Sequence, residues 1–138
     1  MRNIFYVYIY MDTRKPGKFV YGEFQFDFEP FYIGKGFSKR ELDHLKIAKS
    51  YKLAKNCQNG HIINKIRKIL KLGFEPKIIK SKENLTEKEA FVLEKRLIKT
   101  IGRFDLKKGP LTNLTNGGDG LSGFILSKES VLVRLYIP

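Results

Sequence analysis

Ile4-Phe5-Tyr6-Val7-Tyr8-Ile9-Tyr10 and, after a gap, Phe31-Tyr32-Ile33-Gly34-Lys35-Gly36 are the stretches from which the fold is read. The first is β-branched or aromatic at every position, which specifies a strand buried on at least one face. The apolar run Ile4 to Met11 has no small-residue cleavage site and leads into Thr13-Arg14-Lys15-Pro16, so it reads as a strand and not a signal peptide. In the second stretch, Phe31-Tyr32-Ile33 predicts a short core strand and Gly34-Lys35-Gly36 a turn. Between the two, Lys15-Pro16-Gly17-Lys18 predicts another turn. Val20, Gly22, Phe24, Phe26 and Phe28 then alternate with Tyr21, Glu23, Gln25, Asp27 and Glu29. That period of two predicts an extra extended insert between the first two core strands, with one apolar face and an end at Pro30.

Downstream the period changes. Ser38 is placed to cap a helix from about Lys39 to Lys55. A second helix starts at Asn59 or Gly60, with Ile62, Ile66, Ile69 and Leu70 as its apolar stripe and Lys65, Lys68 and Lys71 toward solvent. Gly73 suits the position just past its end. Lys77-Ile78-Ile79 predicts a strand after Pro76. Thr86 and Glu89 form a capping box for a third helix ending near Ile101-Gly102. Gly109-Pro110 and Asn116-Gly117-Gly118-Asp119-Gly120 are loop. Val131-Leu132-Val133 and Leu135-Tyr136-Ile137 fit a strand or a cut-off helix. Two strands, helices and a third strand define an α+β chain.

The chain has 138 residues, the size of one domain. It is 42% hydrophobic and 13% aromatic, which excludes a disordered basic tail. No apolar run approaches the length of roughly 20 residues that a membrane span needs. The one cysteine, Cys57, excludes an internal disulfide and a Cys-rich zinc site. A soluble, intracellular protein is expected. The net charge is +13, and between Lys35 and Lys80 thirteen Lys or Arg face only Glu41, Asp43 and Glu75. So concentrated a charge points to a phosphate-contacting surface, with Lys35, Lys39, Lys46, Lys49, Lys65 and Lys68 as its candidates. The alternative is a solvated lysine-rich face. The insert before Pro30 is acidic by contrast, through Glu23, Asp27 and Glu29.

In the third helix Ala90, Phe91, Leu97 and Ile98 mark the apolar face, and Glu94 lies three or four residues from each. A carboxylate in that stripe needs a partner, because an unpaired buried charge is costly. It is a core ion pair, a residue turned to the surface, or a carboxylate at the floor of a cleft holding a divalent metal. Arg40 and His44 share one helix face at i, i+4. Tyr6, Tyr8, Tyr10 and Tyr32 crowd the two strands, where tyrosines are ordinarily packing residues. An acid, an arginine, a histidine and tyrosines on a basic scaffold suit phosphodiester hydrolysis.

Tyr6-Val7-Tyr8 followed by Phe31-Tyr32-Ile33-Gly34-Lys35-Gly36 resembles the paired tripeptides of the GIY-YIG nuclease superfamily. The likeness continues through Arg40, His44 and His61-Ile62-Ile63-Asn64-Lys65-Ile66. It resumes at Glu89 to Ile98 and closes at Gly109 to Gly118. The later pieces are similar to phage-type, homing-endonuclease-like members. The resemblance implies a small three-stranded antiparallel sheet flanked by helices, a nuclease domain over residues 1–116, and a Gly-rich junction with a short tail over 117–138. It implies a single-metal site for Mg²⁺ or Mn²⁺ at Glu94, and double-stranded DNA as substrate. Tyr8 and Tyr32 match the tripeptide tyrosines, Lys35 the lysine after the second, Arg40 the family arginine and Asn113 a late supporting asparagine. His44 and His61 resemble histidines of the homing-type branch. Tyr6 stands where the first tripeptide carries glycine. A tyrosine would accept the proton of the attacking water, with Lys35 favouring its phenolate. The alternatives are a non-catalytic nucleic-acid-binding module on the same fold and an RNA-binding basic domain.

Overall fold

The computed structural model describes residues 2–50 and 59–117. Three antiparallel strands, β1 (Phe5–Tyr21), β2 (Phe24–Phe37) and β3 (Lys77–Leu85), form one sheet in the order β2-β1-β3. Three helices accompany it: α1 (Asp43–Lys49), α2 (Gly60–Lys71) and α3 (Glu87–Ile101). This is the expected α+β class.

Strand alternation divides the core in two. Phe5, Val7, Ile9, Met11 and Ile33 pack with Ala90, Leu97, Ile98 and Ile101 of α3. Tyr6, Tyr8, Tyr10 and Tyr32 face the other way, onto Ala48 of α1 and Ile62, Ile63, Ile66 and Ile69 of α2. The α2 stripe and the Thr86/Glu89 capping box stand as predicted. Gly73, at φ +85, follows α2 as expected.

Several local expectations are corrected. Lys15-Pro16-Gly17-Lys18 is no turn; it lies inside β1, where the register with β2 shifts on either side of Pro16. The turn is at Gly22-Glu23, flanked by the pair Tyr21 and Phe24, with Gly22 at φ +58. Residues 12–30 thus continue the two core strands outward as the distal half of one hairpin. A two-residue loop reverses the parity of the alternation across it. Tyr21 and Phe19 therefore join Phe24, Phe26 and Phe28 on the α3 side, while Val20 points to solvent at 55% exposure.

Gly34-Lys35-Gly36 is also strand, paired with Tyr8, Val7 and Tyr6. Its first glycine serves a ring: a Cβ at Gly34 would come within 2.6 Å of Tyr8 Cε2 and closer still to its hydroxyl end. Ser38 does not cap a helix. It adopts φ +56, and a single 3-10 turn over Arg40–Leu42 precedes α1, which ends at Lys49 with Ser50 extended. Tyrosine hydroxyls of β1 accept the backbone N–H groups a cap would have taken: Tyr6 from Glu41 at 3.1 Å and Tyr10 from Leu45 at 3.3 Å. At the far end of α1, Arg67 donates to the carbonyls of Ile47, Ala48 and Ser50. β3 runs further than Ile79, and Lys77, Lys80 and Lys82 line this edge strand. Residues 51–55 of the first predicted helix, Cys57 and the tail beyond Gly117 lie outside the described residues.

Candidate active site

The outer edge of β2 is fixed first. Asn113, 2% exposed, accepts the Ile33 N–H at 3.0 Å and donates to the Ile33 carbonyl at 2.8 Å. Thr112 donates to the Phe31 carbonyl through both its N–H, at 2.7 Å, and its hydroxyl, at 2.8 Å. Asn59 accepts from His61 N–H at the start of α2 and donates to the Thr112 carbonyl at 2.8 Å. Tyr32 is held between these fixed neighbours. Its ring lies 6.2 Å from those of Tyr8 and Tyr10, and 4.9 Å from the His44 imidazole.

Glu94 projects from α3 into the core side at 3% exposure, as its place in the apolar stripe requires. Tyr8 and Lys35 feel its charge. Burial pushes the Tyr8 phenol well above its ordinary value, and the neighbouring Tyr32, Tyr10 and Glu94 push it further. Burial lowers Lys35, and the negative charges of Glu94 and Glu87 oppose that. Lys35 sits 3.6 Å from the Glu87 carboxylate with its ammonium 5.3 Å from the centre of the Phe91 ring. The expected phenolate is thus not favoured at Tyr8: its surroundings hold the proton on. Gly117, at φ +130, closes the site, and a Cβ there would lie 3.2 Å from Glu94 Oε1 and 3.6 Å from Phe91 Cε1. The bare backbone keeps that space beside the carboxylate open.

The remaining candidates divide. Tyr6 is buried with its hydroxyl bonded to the Ser38–Glu41 turn. Arg40 is exposed on that turn, its guanidinium 4.6 Å from the Phe37 ring centre. His61 is exposed at the first turn of α2. Lys39, Lys46 and Lys68 are exposed, and Lys49 is 3.2 Å from Glu75. Lys65 is turned inward instead of toward solvent: its ammonium is 3.6 Å from Asp12 and 5.9 Å from the centre of the Phe31 ring. Asp12 is fully buried, and Arg14 grips both of its oxygens. The sequence signal for that cluster is an acid at the end of an apolar run, two residues before an arginine.

Among the described residues no three His, Cys, Asp or Glu side chains gather as a metal cage. A single buried carboxylate beside an open space fits the other mode of binding, in which a hard cation takes one or two carboxylates and completes its shell with water and substrate phosphate.

The LEM-3-like GIY-YIG domain matches residues 5–123, from the first residue of β1 past Gly117. The chain belongs to that family. No curated protein and no solved structure matches it. GIY-YIG domains are in general nucleases, act on nucleic acid and use divalent metal ions. Among the described residues no helix is long and apolar enough to cross a membrane.

Proposed function

We propose that the protein is a metal-dependent DNA endonuclease that hydrolyses phosphodiester bonds at a single-metal site on Glu94. The observation that carries this is the burial of Glu94 beside the bare backbone of Gly117, with its charge felt at Tyr8 and Lys35, in a chain of a nuclease family. Glu94 would hold Mg²⁺ or Mn²⁺, which when bound supplies positive charge to the scissile phosphate and the leaving oxygen.

The chain's own groups do the rest. Arg40 donates to the phosphate through its planar fork, a geometry lysine lacks. Lys35 adds a second positive charge in a dry setting, where charges act more strongly. His44, against the Tyr32 ring, accepts the proton of the attacking water. Tyr8 keeps its proton and donates a hydrogen bond from its hydroxyl. Tyr32 orients His44, and Asn113 fixes the strand on which Tyr32 is carried. Lys39, Lys46 and Lys68, with Lys49, give the phosphate contacts outside the site, to double-stranded DNA. The nuclease domain is residues 1–116, with 117–138 as junction and tail, and Gly117, the first junction residue, lies against the site. What supports a phage-type homing or restriction-like role is the likeness of His61 to Ile66 and Gly109 to Gly118 to those enzymes; the family match supports the wider nuclease class.

The test is supercoiled plasmid with Mg²⁺, Mn²⁺ or chelator, beside Glu94→Ala. Metal-dependent nicking or linearisation that vanishes in the variant is expected. Cleavage by Glu94→Ala at the normal rate refutes the assignment, and retarded but uncut plasmid in every lane favours the non-catalytic binding module.

A further inference from the structure

Tyr6 has more partners than packing requires. Its hydroxyl donates to the Ser38 carbonyl at 2.9 Å, accepts from the Glu41 N–H at 3.1 Å and lies 3.2 Å from Glu41 Oε1. Lys80, from β3, reaches the same carboxylate at 3.3 Å and places its ammonium 4.5 Å from the centre of the Tyr6 ring. The segment bridged in this way is short. It contains Lys39 and Arg40, and it leaves β2 through Ser38 at φ +56, a strained conformation for a non-glycine residue that persists only where its surroundings impose it. Nothing in the sequence of the turn itself supplies that hold; no side chain caps the 3-10 turn.

We propose that Tyr6 is the positioning residue for Arg40: its hydroxyl clasps the turn from both ends, and the Glu41–Lys80 pair ties the clasp to β3. The inference rests on the reading that Arg40 contacts the phosphate. The clasp leaves Arg40 little freedom of backbone. A Cβ at Gly36, the β2 partner of Tyr6, would lie 3.2 Å from the Arg40 Cβ, so the arginine stem is seated directly over the strand. The guanidinium then needs to choose only its side-chain torsions, and Phe37 supplies a surface for it. Burial and the Glu41 carboxylate raise the Tyr6 phenol to about 12, against the lowering effect of the backbone N–H it accepts. Tyr6 is therefore a neutral hydrogen-bonding group at physiological pH, suited to holding the turn and unsuited to accepting a proton from water.

The experiment is a double-mutant cycle of Tyr6→Phe and Arg40→Ala, with kcat and KM measured at saturating Mg²⁺ on one plasmid substrate. Tyr6→Phe lowers kcat roughly 10- to 100-fold, the loss expected for a group displaced by about 1 Å, with KM little changed. The double variant is no slower than Arg40→Ala alone, because a positioning residue has no effect once its client is gone. Losses that multiply in the double variant, or an unchanged kcat in Tyr6→Phe, overturn the inference while leaving Arg40 in its role. Full activity in Arg40→Ala overturns both. Glu41→Ala, which removes a partner of the same hydroxyl and of Lys80 at a partly exposed position, gives the same comparison if Tyr6→Phe does not fold.

Discussion

The side-chain amide of Asn113 satisfies both backbone polar groups of Ile33, at 3.0 and 2.8 Å, as a residue of a neighbouring strand would. One side chain thus stands in for a fourth strand at the point where β2 carries Tyr32. The family match identifies a GIY-YIG domain; this contact explains how its sheet edge is kept in place where no further strand lies beside β2 among the described residues.

Asn113→Ala leaves the Ile33 N–H and C=O buried without their partners. Each such group costs about 1–3 kcal/mol, so the variant should lose on the order of 2–4 kcal/mol of stability. Urea unfolding monitored by circular dichroism reads this as a lower midpoint with an unchanged slope. A midpoint equal to that of the parent would mean that Ile33 is not held by Asn113.

Gly117→Ala puts a Cβ 3.2 Å from Glu94 Oε1 and forces a side chain onto φ +130. The space beside the carboxylate closes, and cation affinity should fall roughly tenfold or more, as for other residues that frame a metal ligand. Calorimetric titration with Mn²⁺ measures this without reference to cleavage. Undiminished Mn²⁺ binding in the variant places the cation elsewhere.

Asp12 predicts the acid limb of stability. Burial pushes its carboxyl up, and the hydrogen bonds and charge of Arg14, with the charge of Lys65, outweigh that and bring it below the ordinary value. A depressed folded value means stability present above the unfolded value of about 4 and lost as pH falls through the folded one. Asp12→Asn, which weakens the hydrogen bonds to a partly exposed Arg14, should cost about 1.5–3 kcal/mol at pH 7. The gap between parent and variant should narrow below pH ~4. Parallel stability curves from pH 7 to 3 would remove Asp12 from this role.

Binding to duplex DNA should weaken steeply with salt. With about six phosphates neutralised, log affinity falls against log salt with a slope near −5. Lys39→Gln, at an exposed position, should flatten that slope by about 1. Lys65→Gln should leave the slope alone and lower stability instead, because its ammonium faces Asp12. Equal slope changes in the two variants would contradict the division between outward and inward lysines.

Legibility in the sequence followed the range of the interaction. The Thr86/Glu89 capping box and the α2 stripe are set by neighbours three or four residues apart, and both stood as read. The burial of Glu94 is legible because a charge in an apolar stripe conflicts with its local pattern. The Lys15-Pro16-Gly17-Lys18 turn failed because Pro16 is accommodated at a register shift opposite Phe28, a partner twelve residues away. Gly34 resembles a turn residue for a related reason: its missing side chain makes room for the Tyr8 ring across the sheet. Ser38 lost the capping role to tyrosines some thirty residues earlier. Asn113 was visible through family resemblance alone, since nothing local announces an amide that completes a distant strand.

The lysines of β3 have an effect beyond this one molecule. An uncovered sheet margin is a template on which another chain can add a strand. β2 is covered at Phe31 and Ile33 by Thr112 and Asn113, so among the described residues β3 is the margin with no further strand beside it. Lys77, Lys80 and Lys82 place charged side chains along it, with Glu41 and Glu83 beside Lys80, and a margin so charged is a poor surface for a second copy's backbone to pair on.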